Sequence, residues 1–259
     1  MRAPEYDTMR TVEDRHWWYA VLRSLVVGTL AGRLPQRGRL LDAGCGTGGT
    51  LEFLREKVGD LDMAGIDVSE KAVQHCCERG LTTVQRGSVE ALPFADAAFD
   101  AVLSLDVLYH AGVNEAQALA EMHRVLRSGG LLVLNLPAFA GLRGTHDLAV
   151  GGARRYEAAQ VRSLLEHSSL AVEKIQYWNA WLFLPLLVWR NLSRWGTNDA
   201  ADRGSDLKLT PAWMSRLLAW LGRLDAELCH AWRIPFGSSV FAVARKNEFV
   251  TRRETAWQQ

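Results

Sequence analysis

The residues best suited to chemistry in this chain stand in and beside Leu40-Leu41-Asp42-Ala43-Gly44-Cys45-Gly46-Thr47-Gly48-Gly49. The apolar start makes a short buried strand. The glycines let the backbone turn sharply and keep side chains out of a ligand's way. A helix over Thr50 to Lys57 points its first amides back at the loop, which makes a nucleotide-type site with an anion-binding end. The same glycines satisfy the dinucleotide fingerprint G-x-G-x-x-G as Gly44-x-Gly46-x-x-Gly49. Asp67, in Gly65-Ile66-Asp67-Val68, ends the next strand about 20 residues on, where such folds place the acid that holds ribose hydroxyls. A tight turn that binds nothing needs no such acid. Loop and acid together give a nucleotide site without choosing the nucleotide.

The choice comes from further stretches. Ala91-Leu92-Pro93-Phe94 precedes Phe99-Asp100-Ala101-Val102, and Arg124-Val125-Leu126-Arg127-Ser128-Gly129-Gly130 lies between a helix and an apolar strand. With Leu41 to Gly48 and Gly65 to Ser69, these resemble the class I S-adenosylmethionine (SAM) methyltransferases, closely over Leu40 to Asn135 and more loosely over Arg154 to Arg245. The resemblance implies a cofactor, SAM, and a set of roles. Gly44, Cys45, Gly46 and Gly48 carry its methionine part, whose carboxylate can meet backbone amides. Asp42 supports the loop or the amino group. Asp67 accepts both ribose hydroxyls. Val68 packs on adenine, with Ser88 and Val89 at its edge; the family usually has Asp where Ser88 stands. Leu105 and Asp106 line the methionine side. His16-Trp17-Trp18, Arg154-Arg155-Tyr156 and Pro235-Phe236-Gly237 resemble a bacterial subgroup of these enzymes. That subgroup commonly has His before the arginine pair, where this chain has Gly152-Ala153.

The strand from Phe99 to Leu105 ends in Ser104-Leu105-Asp106-Val107-Leu108-Tyr109-His110. Ligands of open α/β sheets sit at the carboxyl ends of strands, so these side chains face the reaction. A hydroxyl acceptor needs a general base; His110 is the first candidate and His146 the second. A carbon or amine that is already reactive needs none, and a lone histidine can equally be structural. Tyr109 and Tyr156 are placed to orient an acceptor. Trp17 and Trp18 either pack their helix on the sheet or close over the ligands, and Trp181 is assigned to the acceptor.

The elements that must position these groups follow from periodicity. Met1 to Asp14 reads as polar and loose. An apolar-periodic helix runs from His16 to Ala31. Strands over Met63–Asp67, Thr82–Arg86, Phe99–Leu105 and Leu131–Leu136 alternate with helices, and Pro137 to Ala153 is a glycine-rich loop. Strands over Ala171–Tyr177 and Ser238–Arg245 form a final antiparallel pair. The expected architecture is α/β: a doubly wound, mostly parallel sheet of seven strands. A dinucleotide dehydrogenase would instead repeat βαβ in its second half.

About sixty residues between the last two strands exceed what a hairpin needs. Residues 1–178 and 238–259 read as the SAM-binding domain, with 1–35 as an N-terminal cap, and 179–237 as a helical lid. In the insert, Ala180 to Trp189 is an apolar run broken by Pro185, and Asn198 to Asp206 is polar and reads as mobile. Trp213, Met214, Leu217, Leu218, Trp220, Leu221 and Leu224 share one side of a helix, with Arg216 and Arg223 opposite. That side can cover substrate, complete the core or a homodimer, or meet a membrane surface.

Composition narrows the class. The 259 residues are 48% hydrophobic and 23% charged, with net charge +1, so no global field recruits nucleic acid. No base-flipping tetrapeptide of the Asn-Pro-Pro-Tyr kind ends the fourth strand. Ten tryptophans are many, and seven lie between Trp178 and Trp232. The four cysteines form no C-x-x-C, so free thiols, a reducing cytoplasm and no metal are expected. No apolar leader is seen. The leading expectation is methyl transfer to a small, rather apolar acceptor, either a specialised or a lipid-linked metabolite. The alternatives are a protein of the same fold that binds SAM without methylating, and an NAD-type oxidoreductase.

Overall fold

The computed structural model describes residues 3–195 and 210–247, without the side chains of 3, 145, 146 and 191–195. Asn198 to Asp206 therefore lies outside the described residues.

Seven strands form one sheet: β1 (Arg39–Ala43), β2 (Asp62–Asp67), β3 (Val84–Arg86), β4 (Phe99–Leu105), β5 (Leu126–Pro137), β6 (Leu170–Trp178) and β7 (Ser239–Lys246), in the order β3-β2-β1-β4-β5-β7-β6. β7 runs antiparallel to both neighbours, and the other pairs are parallel. β6 therefore points the same way as β1 to β5, and its carboxyl end opens on the same edge. The order reverses between β1 and β4, which leaves a crevice at their carboxyl ends. β1 and β4 read as near-continuous apolar runs, interrupted in β1 by Asp42 and in β4 by Asp100 and Ser104, because the sheet is covered on both faces. One core joins Phe99, Val102, Leu119, Met122 and Leu165; the other joins Leu22, Val26, Leu54, Leu103, Trp178 and Phe241.

The covering helices are α2 (Trp17–Leu30), α3 (Gly49–Lys57), α4 (Glu70–Glu78), α5 (Glu115–Val125) and α7 (Ala158–His167). Their starts follow local chemistry. His16 Nδ1 accepts from Trp18 N, Ser69 Oγ from Ala72 N, and Asn114 Oδ1 from Gln117 N, each satisfying an otherwise orphaned first-turn amide.

The structure corrects several expectations. The first residues are not loose: Ala3–Val12 is a helix, α1, with Tyr6 and Val12 buried. Its weak apolar pattern hid it, because its order comes from contacts far along the chain. Residues 137–153 are not a plain loop; Ala140–Leu142 makes a 3₁₀ turn and Thr145–Ala149 a short helix, α6. Pro185 does not break the insert's first helix, α8 (Ala180–Trp195). The Asp225 carboxylate holds the start of α8 by accepting from Ala180 N (3.2 Å) and Trp181 N (3.1 Å).

The second insert helix, α9 (Ala212–Trp232), lies against α2 and β6 through small residues, Ser215, Ala219, Gly222, Ala226 and Cys229. Gly222 is required there, since a Cβ would collide with Val21. Of the large apolar side read from the sequence, Trp213, Leu217, Trp220 and Leu224 face outward and are exposed, while Met214, Leu218 and Leu221 are half-buried. Small residues won the buried face because close helix approach leaves no room for large ones. α9 therefore backs α2, and α8 alone reaches over the acceptor side.

Candidate active site

The loop after β1 is braced from the neighbouring strand. Gly44 N and Cys45 N both donate to Ile66 O at 2.9 Å, and Gly46 N donates to Asp67 Oδ2 at 3.0 Å. Gly44 sits at φ 94°, and a Cβ there would run into Val107. These amides thus serve β2, and the expected contact of the Gly44 and Gly46 amides with a ligand carboxylate does not follow. Gly48, at φ 82°, caps α3.

Two acids beside the loop differ in their partners. Asp42 is 2% exposed and its Oδ1 has no partner. Burial, with the nearby charges of Asp67 and Glu13, pushes its pKa up to about 7. An orphaned buried carboxylate fits a cationic amine. Asp67 is already well served. Its Oδ1 accepts from Tyr6 OH (3.0 Å) and Ser69 N (2.9 Å), and its Oδ2 from Gly46 N. A carboxylate offers about four acceptor positions. Two ribose hydroxyls therefore do not fit while Tyr6 is in place, a correction to the sequence expectation.

The cap expected over residues 1–35 begins with a helix, α1, where the sequence read as loose. Tyr6 holds Asp67, and Met9 lies over Gly46. Glu13, 2% exposed, accepts from Arg23 Nη2 (3.3 Å), Arg79 Nη2 (2.7 Å) and Thr47 Oγ1. Arg79 Nε also donates to Thr47 O at 2.8 Å. This ionic knot fastens α1 to the glycine loop. The available signal was the run Glu13-Asp14-Arg15 directly before the apolar helix.

A single cavity of about 780 Å³ begins at these groups and continues past β4. Val68, Ser88 and Val89 line its first part; Val68 is 63% exposed at the mouth, and Ser88 Oγ accepts from Glu90 N. Trp17, Trp18, Tyr19, Tyr109, Leu182 and Leu186 line its second part. Trp18 also stacks on Trp178, so packing and ligand-facing roles coincide.

The ends of β4 and β5 carry a linked polar chain. Trp178 Nε1 donates to Asn135 Oδ1 (2.9 Å), and Asn135 Nδ2 donates to Asp106 Oδ2 (2.8 Å). Asp106 sits at φ 56° and lines the cavity with Leu105. Burial raises its pKa to about 7, against the stabilising Asn135 bond. His110 is also in the lining; burial lowers its pKa to about 4, and its buried Nδ1 has no partner. The side chain of His146 lies outside the described residues.

The Arg-Arg-Tyr stretch is bracing. Arg154 donates to Glu115 and to the carbonyls of His110 and Val113. Arg155 lines the cavity but is held by Asp147 at 3.0 and 3.1 Å. Tyr156 is buried, donates to Leu108 O and Glu115, and is absent from the cavity wall, so the acceptor-orienting role is withdrawn. Trp181 likewise lies outside the wall, its ring 5.8 Å from Trp17. Tyr109's ring fills the space beside Gly152, where a Cβ would collide.

Residues 41–134 match the family described as Methyltransferase domain. A ubiquinone/menaquinone biosynthesis C-methyltransferase of Citrifermentans bemidjiense is 32% identical over 200 residues, spanning 66% of this chain and 80% of the relative. The chain belongs to the SAM-dependent methyltransferases. A phthiotriol/phenolphthiotriol dimycocerosates methyltransferase of Mycobacterium ulcerans is 34% identical over 115 residues, 43% of this chain. The chain spans only 64% and 58% of the length of two further curated relatives and 40% of that of the Mycobacterium ulcerans protein. Among solved structures, the [4+2]-cyclase SpnF matches with a TM-score of 0.56 at 24% identity, covering 89% of this chain and 81% of that one. This likeness concerns the fold alone.

Proposed function

We propose that this methyltransferase transfers a methyl group from SAM to a small, rather apolar acceptor, a specialised or lipid-linked metabolite, and releases S-adenosylhomocysteine. The observation that carries this reading is the continuity of one cavity from the Asp42–Asp67 end to the aromatic wall of Trp17, Trp18 and Tyr109. The orphaned Asp42 carboxylate fits the cofactor's amino group, the one acceptor position left on Asp67 a single ribose hydroxyl, and Val68, Ser88 and Val89 its adenine. When bound, SAM supplies an electrophilic methyl on a sulfonium.

The chain's own residues do the rest. Methyl transfer needs a collinear approach, and good orientation contributes on the order of 7–11 kcal/mol. The aromatic wall and Leu182 and Leu186 exclude water and hold the acceptor. For a hydroxyl acceptor, His110 and Asp106, which line the cavity just after the end of β4, are the groups suited to take the proton. A base works best with a pKa near the operating pH. That favours Asp106, at about 7, over His110, at about 4.

The lipid-linked reading has a second support. The exposed residues Trp181, Leu184, Val188 and Trp189 of α8 form one stripe, and Trp213, Leu217, Trp220 and Leu224 of α9 another. No helix among the described residues is long and apolar enough to cross a membrane. Arg216 and Arg223, expected opposite the α9 stripe, are exposed and at 100° per residue lie along its edge. Tryptophan-rich stripes edged by arginine suit the surface of an anionic bilayer; a homodimer is the competing use.

The test is a screen of apolar hydroxyl, amine and quinone-like acceptors with methyl-labelled SAM, reading both labelled product and S-adenosylhomocysteine. Label in product with equal S-adenosylhomocysteine supports the reading. Acceptor conversion without S-adenosylhomocysteine would favour a non-methylating reaction on the same fold.

A further inference from the structure

The carboxamide of Asn179 has no hydrogen-bond partner among the described residues. Asn179 is 0% exposed, yet neither its Oδ1 nor its Nδ2 has a hydrogen-bond partner, and the residue lines the large cavity. Leaving a buried polar group unpaired costs about 1–3 kcal/mol, so a fully orphaned amide at a cavity wall points to a missing partner. The backbone is also unusual. Asn179 adopts φ 58°, directly after β6. Asp106, directly after β4, has φ 56°, and Phe139, two residues after β5, has φ 53°. Three parallel strands thus end near left-handed residues on the same edge of the sheet; Asp106 and Asn179 line the cavity, while Phe139 packs against Tyr177 and Phe183.

Position separates Asn179 from the cofactor. From β1, the sheet order passes through β4, β5 and β7 before reaching β6. At about 4.8 Å per strand, β6 lies roughly 19 Å from β1 and roughly 14 Å from β4. The neighbouring chain Trp178–Asn135–Asp106 ties the same corner to the end of β4. Leu182 N donates to the Asn179 backbone carbonyl at 3.3 Å, so the first turn of α8 fixes the residue but leaves its side chain unclaimed.

We infer that the Asn179 carboxamide recognises the acceptor, pairing with a group that presents a donor and an acceptor side by side, such as a carboxamide, a lactam or a hydroxy-carbonyl, at the end remote from the methylated atom. The ligand class is then an elongated, mainly apolar molecule with one such polar terminus. This rests on the methyltransferase reading for the identity of the ligand as methyl acceptor, but the subsite itself can be measured separately.

The probes are 1-naphthamide and 1-acetylnaphthalene, which have the same shape but differ in the amide donor. Their affinities are measured by titration calorimetry on the full chain, with and without S-adenosylhomocysteine. The wild type is expected to prefer the amide at least fivefold. Asn179→Gly keeps the left-handed backbone without penalty and removes only the side chain. In that variant the ratio falls below two, with S-adenosylhomocysteine affinity unchanged. Asn179→Asp, which keeps the shape and loses the donor, weakens both probes. No preference in the wild type, including binding of neither probe, or a preference that survives Asn179→Gly, overturns the inference; the asparagine then serves only its backbone angle. Failure of S-adenosylhomocysteine to bind the wild type sinks the methyltransferase reading instead, while the amide comparison stands on its own.

Discussion

Between β1 and α3, each glycine that matters is fixed by something nearby in sequence or by the adjacent strand: Gly44 by Ile66 and Val107, Gly46 by Asp67. In α9 the reverse holds. Its pattern is strong, yet Trp213, Trp220 and Leu224 face outward and Gly222 and Ala226 face inward. One region is specified by backbone geometry, where only glycine fits. The other is specified by what packs against it, which the pattern of apolar residues alone does not name. The cofactor end should therefore break sharply under single substitutions, and the insert should yield function before stability.

The largest effect is expected at the ionic knot. Glu13→Ala leaves Arg23 and Arg79 buried without their shared partner, a loss of about 3–5 kcal/mol, visible as a fall in the midpoint of urea unfolding. Next, Asp67→Ala removes the acceptor of Tyr6, Gly46 and Ser69, and SAM binding should weaken on the order of 100-fold, or about 2.7 kcal/mol, by calorimetry; unchanged affinity would remove Asp67 from the site.

A pH test addresses the acceptor side. The folded pKa of Asp106 is raised to about 7 from 3.8, so between these values the folded state binds the proton more tightly than the unfolded one. Its contribution to stability is therefore full below about pH 4 and is lost as pH rises through 7. Asp106→Asn, which keeps an acceptor for Asn135, should gain stability relative to wild type from pH 5 to 8, with a limiting slope of about 1.4 kcal/mol per pH unit. Parallel melting curves of the two proteins would refute the shift.

Smaller effects sharpen the comparison. Tyr6→Phe frees one acceptor position on Asp67 Oδ1, which keeps Ser69 N, and should tighten SAM binding about fivefold, close to 1 kcal/mol. Weaker binding would mean that Tyr6 completes the cofactor site. Trp220→Ser with Leu224→Ser should alter stability by about 0.5 kcal/mol or less, as surface changes do. Co-sedimentation with vesicles of anionic phospholipid should nevertheless be lost. Binding that persists, or a dimer that dissociates in the same variant, would assign the stripe to a second copy.

What the sequence determined by itself was whatever depends on short range and on backbone freedom. The strands from β1 to β5, the glycine turn and the place of Asp67 were all legible, because turn geometry and short apolar runs act on neighbouring residues. Only the tertiary structure decided the rest. α1 is weakly patterned and owes its order to Asp67, Arg79 and Thr47, between 34 and 66 residues away. Tyr156 and Arg155 look like ligand groups by type, yet they are claimed by Glu115 and Asp147. Asn179, unremarkable in the chain, is left unpaired at a cavity wall. Whether a polar side chain braces the fold or waits for a ligand depends on which partners the completed fold brings within hydrogen-bonding distance, and long-range packing sets those partners.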